Sequence, residues 1–214
     1  MKKICFAATL ILFVAISACK KEIRVEQSER EVKDNLLFLE GDKFKGVAYK
    51  NFTNGKLQSE WTIEDGAAHG PSSTYYSNGQ LNEKLDWNVG LRNGPYEKYY
   101  DNGQLEIRSQ FIENKQDGDF ETYHKNGNLR SKGYFDNGKL EGTLEEYFEN
   151  GPIRFRYTWR QNVKEGPYEE YFENGQLKMV GYFKNDLMDG LFEIYTDDGK
   201  LKENVNYEYG RRQK

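Results

Sequence analysis

The sequence has very little cysteine, histidine and proline: its 214 residues include two cysteines, two histidines and four prolines. Cys5 and Cys19 both lie at the N-terminus, so the rest of the chain has no thiol for a disulfide framework, a thiolate zinc site or a cysteine nucleophile. Positive charge is not in excess either. The net charge is −4, which argues against nucleic acid as a partner.

The N-terminus carries a targeting signal. Lys2 and Lys3 precede an apolar run over residues 4–16, which is shorter than the roughly 20 apolar residues of a membrane-spanning helix. Small residues then lead directly to Cys19. This order resembles the lipobox of bacterial lipoproteins, and the resemblance implies cleavage after residue 18 and lipidation of Cys19. Lys20 at the next position favours the outer membrane. The alternative is an ordinary secretory signal with a chance cysteine.

Three segments follow from this interpretation. Residues 1–18 form the signal peptide. Residues 19–34 are the lipidated N-terminus and, because nearly all of them are charged or polar, a flexible tether. Residues 35–214 form a repeat domain.

Two glycine series define the repeat. Both have a period of 24 residues without an insertion, which indicates an array of seven units. The units start at Gly46, Gly70, Gly94, Gly118, Gly142, Gly166 and Gly190. Asn-Gly, or Asp-Gly in the last unit, recurs in a turn that contains Gly55, Gly79, Gly103, Gly127, Gly151, Gly175 and Gly199.

Each Asn-Gly pair predicts a β-hairpin, because a two-residue type I′ turn needs positive φ at both positions. With this loop Glu97 faces Arg108, and Tyr99 faces Glu106. The connection between units is predicted to be longer. The fold is therefore expected to be all-β, an elongated antiparallel meander of seven hairpins, and residues 35–45 add a half-unit that caps the N-terminal edge.

The alternation of residue types divides the sheet into two faces. One face is apolar and includes an aromatic or aliphatic residue near the end of each unit. The other face carries opposite-charge pairs of about 0.2–1 kcal/mol each, such as Glu121 with Lys132. It also carries a row of tyrosines, which is Tyr75, Tyr99, Tyr123, Tyr147, Tyr171 and Tyr195.

The pattern G-x-[YF]-x-x-Y-[YF]-x-N-G-x-L, as in residues 94–105 and 166–177, resembles the variant MORN repeat. Bacterial proteins of this type are often grouped as YwqK-type antitoxins. The resemblance implies a β-hairpin array that contacts proteins or membranes. A secreted lipoprotein does not meet a cytoplasmic toxin, so within this group an immunity role at the envelope fits better.

The tyrosine row is the candidate binding strip, and it has two interpretations. The tyrosines either cover the sheet and pack against their neighbours, or they grip a glycan or a partner chain. In the predicted register four of them oppose a cation. Repeated glutamates are not a catalytic signature, because paired-carboxylate catalysis needs two different environments.

We therefore expect a non-catalytic envelope lipoprotein that acts as a protein- or glycan-binding scaffold. The alternatives are an envelope immunity or antitoxin-type protein that binds a cognate toxin, and a structural spacer. The expected partners are the membrane, through the lipid, and a protein or a glycan. No cofactor, metal or nucleic acid is expected, and the sequence does not predict an oligomeric state.

Overall fold

A computed structural model describes residues 24–26 and 31–213. These residues are all-β and contain no helix long and apolar enough to cross a bilayer. The strands are Arg24–Glu26, Glu31–Lys33, Leu36–Leu39, Asp42–Lys43, Gly46–Asn51, Leu57–Glu64, Ala67–Tyr75, Leu81–Asn88, Leu91–Tyr99, Leu105–Ile112, Lys115–Gln116, Gly118–Tyr123, Leu129–Asp136, Lys139–Tyr147, Ile153–Arg160, Val163–Tyr171, Leu177–Lys184, Leu187–Met188, Gly190–Tyr195, Leu201–Glu208 and Arg211–Arg212.

From Gly46 onward the strands form one antiparallel meander, as predicted. Each unit contributes a first strand, which contains the unit's starting glycine, and a second strand after the Asn-Gly turn. The predicted charge register is also confirmed. Glu97 lies opposite Arg108, and Glu121 lies opposite Lys132.

The Asn-Gly turns have three loop residues, so the predicted two-residue type I′ loop is wrong. In the third unit Tyr100 N–H donates to the Gln104 carbonyl and Gly103 N–H donates to the Tyr100 carbonyl. Of the loop residues only the glycine has positive φ, at 85°. This is a type I turn followed by a glycine bulge. It makes Tyr99 face Leu105 instead of Glu106, and a second bulge at Glu106 restores the predicted register further along the hairpin.

The type I′ turns lie at the opposite edge, between units. Asp136 pairs with Lys139 across a two-residue loop whose φ angles are 51° at Asn137 and 84° at Gly138. The predicted longer connection is therefore wrong. Two-residue loops of this kind also contain non-glycine residues in the strained left-handed region, such as Val89 at 47°.

The glycines that start each unit lie within strands or at the first residue of one, and not in turns. Gly94 pairs with Phe111, and its φ is 128°. A Cβ at Gly94 would lie 2.9 Å from the Cβ of Asp86 on the preceding strand. Glycine is needed here because the bulged chain crosses close to its neighbour.

Opposing residues on the apolar face have complementary sizes. Tyr96 faces Ser109, and Tyr168 faces Gly181. Phe192, which is fully buried, packs over Gly181 from the next strand. A one-layer sheet fills its apolar surface in this way, because each large ring lies over a small neighbour.

The N-terminal segment differs from the prediction. Residues 31–43 form a separate three-stranded sheet and not a half-unit paired along the meander. Leu37 and Leu39 pack against the buried Ala48 and Ile63 of the first unit. The strand beside Gly46–Asn51 is Arg24–Glu26, which runs parallel to it. Strands at 24–26 and 31–33 also contradict a wholly flexible tether over 19–34.

Candidate functional site

The six predicted tyrosines do lie in one row on one face of the sheet, together with the glutamates two residues before five of them. We call this surface the Tyr–Glu face. Each tyrosine pairs with the leucine or isoleucine of the second strand, for example Tyr147 with Ile153, and is half-buried. The tyrosines are Tyr75, Tyr99, Tyr123, Tyr147, Tyr171 and Tyr195.

Every hydroxyl in this row donates to a carboxylate. Tyr99 donates to Glu97 at 2.8 Å, and Tyr147 donates to Glu145 at 2.6 Å. Tyr75 is the exception, because its partner is not the residue two positions before it. Its hydroxyl donates instead to Glu60 of the first unit at 3.1 Å. Because the hydroxyls are satisfied within the sheet, the row is a structural framework more than a set of free ligand contacts.

The predicted register, in which four of these tyrosines oppose a cation, is wrong at this position, because they pair with leucine or isoleucine instead. Two of the cations at the second bulge, Arg154 and Lys178, contact residues of the apolar face. Arg154 lies over the Phe155 ring at 4.8 Å, and Lys178 pairs with Glu170 at 2.6 Å. The cause is the bulge itself, which moves these residues out of the strict alternation that the sequence suggests.

An ion-pair ladder crosses the strands beside the tyrosine row. Arg108 lies 3.8 Å from Glu97 and 3.3 Å from Glu121. Further along, Glu145 accepts from Lys132 at 2.9 Å and from Arg156 at 3.1 Å. Arg156 also bonds Glu169. Each bridging cation therefore links carboxylates on its two neighbouring strands, which ties consecutive units together.

Glu145 is the most tightly held of these carboxylates. Its partial burial raises its pKa, but hydrogen bonds from Tyr147, Lys132 and Arg156 outweigh this effect and lower the pKa from 4.5 to about 2. For Tyr147, burial and the hydrogen bond to Glu145 raise the pKa of the phenol. At physiological pH Glu145 is therefore ionised and Tyr147 is neutral.

Two other tyrosines on this face are free. Tyr134 and Tyr182 are 44% and 43% exposed, and neither hydroxyl has a hydrogen-bond partner within residues 24–26 and 31–213. Tyr134 borders an open groove of about 690 Å³ whose floor is formed by the ion ladder. The groove is lined by Asp119, Phe120, Glu121, Lys132, Gly133, Tyr134, Thr143, Glu145 and Arg156.

The sequence contains a signal for Tyr134 and Tyr182, because both depart from the repeat. The equivalent positions in the neighbouring units are polar, such as Gln110, Thr158 and Asn206. Aromatic residues that depart from the repeat at an exposed position are better candidates for binding than those that every unit shares.

On the apolar face the rings pack on each other, and cations cover part of them. Tyr96 and Phe111 meet edge to face at 5.5 Å. The Lys164 ammonium lies 4.5 Å from the centre of the Tyr157 ring and 5.5 Å from that of Trp159. Burial raises the pKa of Tyr157 to about 12.

The Asn-Gly edge contains a second ladder, which the sequence interpretation missed. The side chain of Asn102 accepts from Gln104 N–H in its own turn and donates to the Lys125 carbonyl of the next turn, both at 3.0 Å. Beside it Tyr100 donates to the Tyr123 carbonyl, and His124 repeats this contact one unit later. Asparagine therefore suits this position because its side-chain amide both donates and accepts a hydrogen bond, and not because it tolerates a positive φ angle.

Cys19, the predicted lipidation site, lies outside the described residues. Within the part that the structure describes, no three His, Cys, Asp or Glu residues are grouped so as to hold a metal ion. Of the adjacent glutamates, Glu145 lies on the Tyr–Glu face and Glu146 on the other. Asp198, in the last turn, is bound by Thr196 and Lys200.

These features define a repeat protein whose side chains mostly hold neighbouring units together. The family model of the MORN repeat variant matches five segments, at residues 68–88, 92–113, 116–137, 164–185 and 188–209. Because these segments make up just over half of the sequence, the chain belongs to the MORN repeat variant family. The stretch between residues 137 and 164 forms the same hairpin in the structure. No curated protein matches the sequence.

Proposed function

We propose that this protein is a non-catalytic, lipid-anchored scaffold of the bacterial cell envelope that binds another envelope component through its Tyr–Glu face. The observation that carries the proposal is the pair of free, exposed rings at Tyr134 and Tyr182. They stand on a surface whose other aromatic and charged groups are largely bonded to one another.

A rigid surface suits binding, because little ordering of side chains is needed when a ligand arrives. Here the cross-strand pairs fix Lys132, Glu145 and Arg156 before any ligand is present. The exposed rings then supply contact area with only two rotatable side-chain bonds each.

A non-catalytic role is supported by the chemistry of the carboxylates. A general acid needs a raised pKa, whereas that of Glu145 is lowered to about 2. The Tyr–Glu contact is also repeated from unit to unit, as at Tyr171 with Glu169 and Tyr195 with Glu193. Equivalent sites of this kind do not provide the two distinct environments of an acid–base pair.

The envelope location rests on the order of the N-terminal basic residues, apolar run and Cys19. Metabolic labelling with radioactive palmitate tests it. Label should enter the wild-type protein and be absent from Cys19→Ala, and equal labelling of the two would contradict the anchor.

Retention on an envelope fraction tests the binding surface. The purified repeat protein should be retained by washed envelopes, and a Tyr134→Ala/Tyr182→Ala variant should be released at least tenfold more readily. Tyr209→Ala is the matched control, since Tyr209 is 76% exposed but lies in a turn at the end of the array. Equal retention of the wild type and the double variant would contradict the proposed surface.

A further inference from the structure

The groove beside Tyr134 has the chemistry of a carbohydrate site. We propose that the Tyr–Glu face binds a neutral, extended β-1,4-linked oligosaccharide, with Tyr134 and Tyr182 as stacking platforms and the ion ladder as the hydroxyl-binding floor. This inference rests on the proposed binding function and names the class of ligand.

The groove has a size and shape that suit a carbohydrate chain. It holds about 690 Å³ and opens on the sheet surface, so it admits sugar rings that lie along the sheet. Its one large exposed apolar group is the Tyr134 ring, while Asp119, Thr143 and the ladder supply polar atoms. The C–H face of a sugar needs one aromatic ring and surrounding hydrogen-bonding groups, which is the combination found here.

The charges of the floor favour a neutral ligand. Lys132 and Arg156 both bond to Glu145, and Arg156 also reaches Glu169. Glu121 is bonded by Arg108 at 3.3 Å. With the cations already paired, no surplus positive charge attracts an anionic polymer. The carboxylates and cations still have free lone pairs and N–H groups for hydroxyls, since Lys132 is 49% and Arg156 40% exposed.

A protein hot spot fits this surface less well. Such hot spots are desolvated apolar pockets at the centre of an interface, with neighbouring contacts that exclude water. Around Tyr134 the neighbours are instead polar, and Asp119 and Thr143 are exposed. Asp119 faces it on one side, and Thr143 lies on the next strand.

The second platform indicates an extended chain. Tyr182 occupies the same unit position as Tyr134 two units later, which places it four strands away, at a distance of roughly 19 Å. Thr143, Thr158 and Pro167 lie between the two rings on the same face. An extended β-1,4-linked tetrasaccharide has about this length, so one chain reaches both platforms.

Isothermal titration calorimetry with defined oligosaccharides tests this assignment. The probes are hexasaccharides of β-1,4-linked N-acetylglucosamine, β-1,4-linked glucose and α-1,4-linked glucose. We expect a β-1,4 hexasaccharide to bind, and the matching disaccharide to bind at least tenfold more weakly because it contacts one platform. No binding of either β-1,4 hexasaccharide, or equal binding of the α-1,4 chain, would overturn the proposal.

Variants locate the binding. Tyr134→Ala should lower the affinity for the hexasaccharide at least tenfold. Tyr134→Phe should keep most of the affinity because the ring remains, and Tyr209→Ala should leave the affinity unchanged. An unchanged affinity in Tyr134→Ala overturns the site. If the envelope retention depends on Tyr134 but no oligosaccharide binds, the scaffold stands and its partner is a protein. If retention and oligosaccharide binding are both absent, both proposals fail.

Discussion

Gly181 provides the sharpest test of how the apolar face packs. Its φ is not in the left-handed region, so the backbone itself tolerates alanine. The obstacle is Phe192, which is fully buried. An added Cβ would lie within 2.5 Å of its Cε1 atom, far inside van der Waals contact. Gly181→Ala therefore forces the Phe192 ring to move.

Two effects decide the magnitude. Overpacking of a core costs about 1–3 kcal/mol. Replacing glycine in a strand gains about 0.5–1 kcal/mol, because the unfolded chain loses freedom. We expect Gly181→Ala to lower the free energy of unfolding by about 1–2 kcal/mol. At Gly133 the nearest atom is the Phe120 ring edge at 2.9 Å, so the same change there should cost less.

Equilibrium urea unfolding followed by tyrosine and tryptophan fluorescence measures this difference. Adding Phe192→Leu to Gly181→Ala should recover part of the loss, because the smaller side chain vacates the space of the new methyl group. A midpoint for Gly181→Ala equal to or above that of the wild type would refute the packing argument. So would a double variant whose effects are simply additive.

Three further predictions, the first with a control variant, concern the turns and the ion-pair ladder. Asn102→Asp should lower stability by about 0.5–1.5 kcal/mol in urea unfolding, because it removes the donor to the next turn. Asn150→Asp should be neutral, since Asn150 makes no such bond within the described part of the chain. Val89→Asn should raise stability by about 1 kcal/mol, because valine is strained at a φ of 47°. Glu145→Gln should lower the free energy of unfolding above pH 4.5. The difference in free energy of unfolding from wild type should disappear as the pH falls to about 2, because Glu145 itself becomes protonated there.

The hairpin register was predictable away from the turns, and the turns themselves were not. Asn-Gly is compatible with a type I′ loop and with a type I turn followed by a glycine bulge. Both connections of a unit contain such residues, for example Asn126–Gly127 and Asn137–Gly138. The second bulge, at Glu106 in the third unit, offsets the longer loop. Either turn type therefore predicts that Glu97 lies opposite Arg108, so the charge pairing does not distinguish the two turn types.

The candidate site was predicted only in part. A regular repeat draws attention to the tyrosines that most units share. The hydroxyls of Tyr147 and its equivalents, however, donate hydrogen bonds to glutamates of the sheet. The free rings at Tyr134 and Tyr182 are departures from the repeat. The N-terminal segment was misassigned because Leu37 and Leu39 match the period, although they pack over the sheet instead of extending it.

The central claim is that the Tyr–Glu face is the surface that meets the partner. Photo-crosslinking in cells tests it most directly, with a photoreactive amino acid placed in turn at Tyr134, Tyr182 and Tyr209. We expect crosslinks to one envelope component from Tyr134 and Tyr182 and none from Tyr209. Crosslinks from Tyr209 alone, or none from any of the three positions, would contradict it.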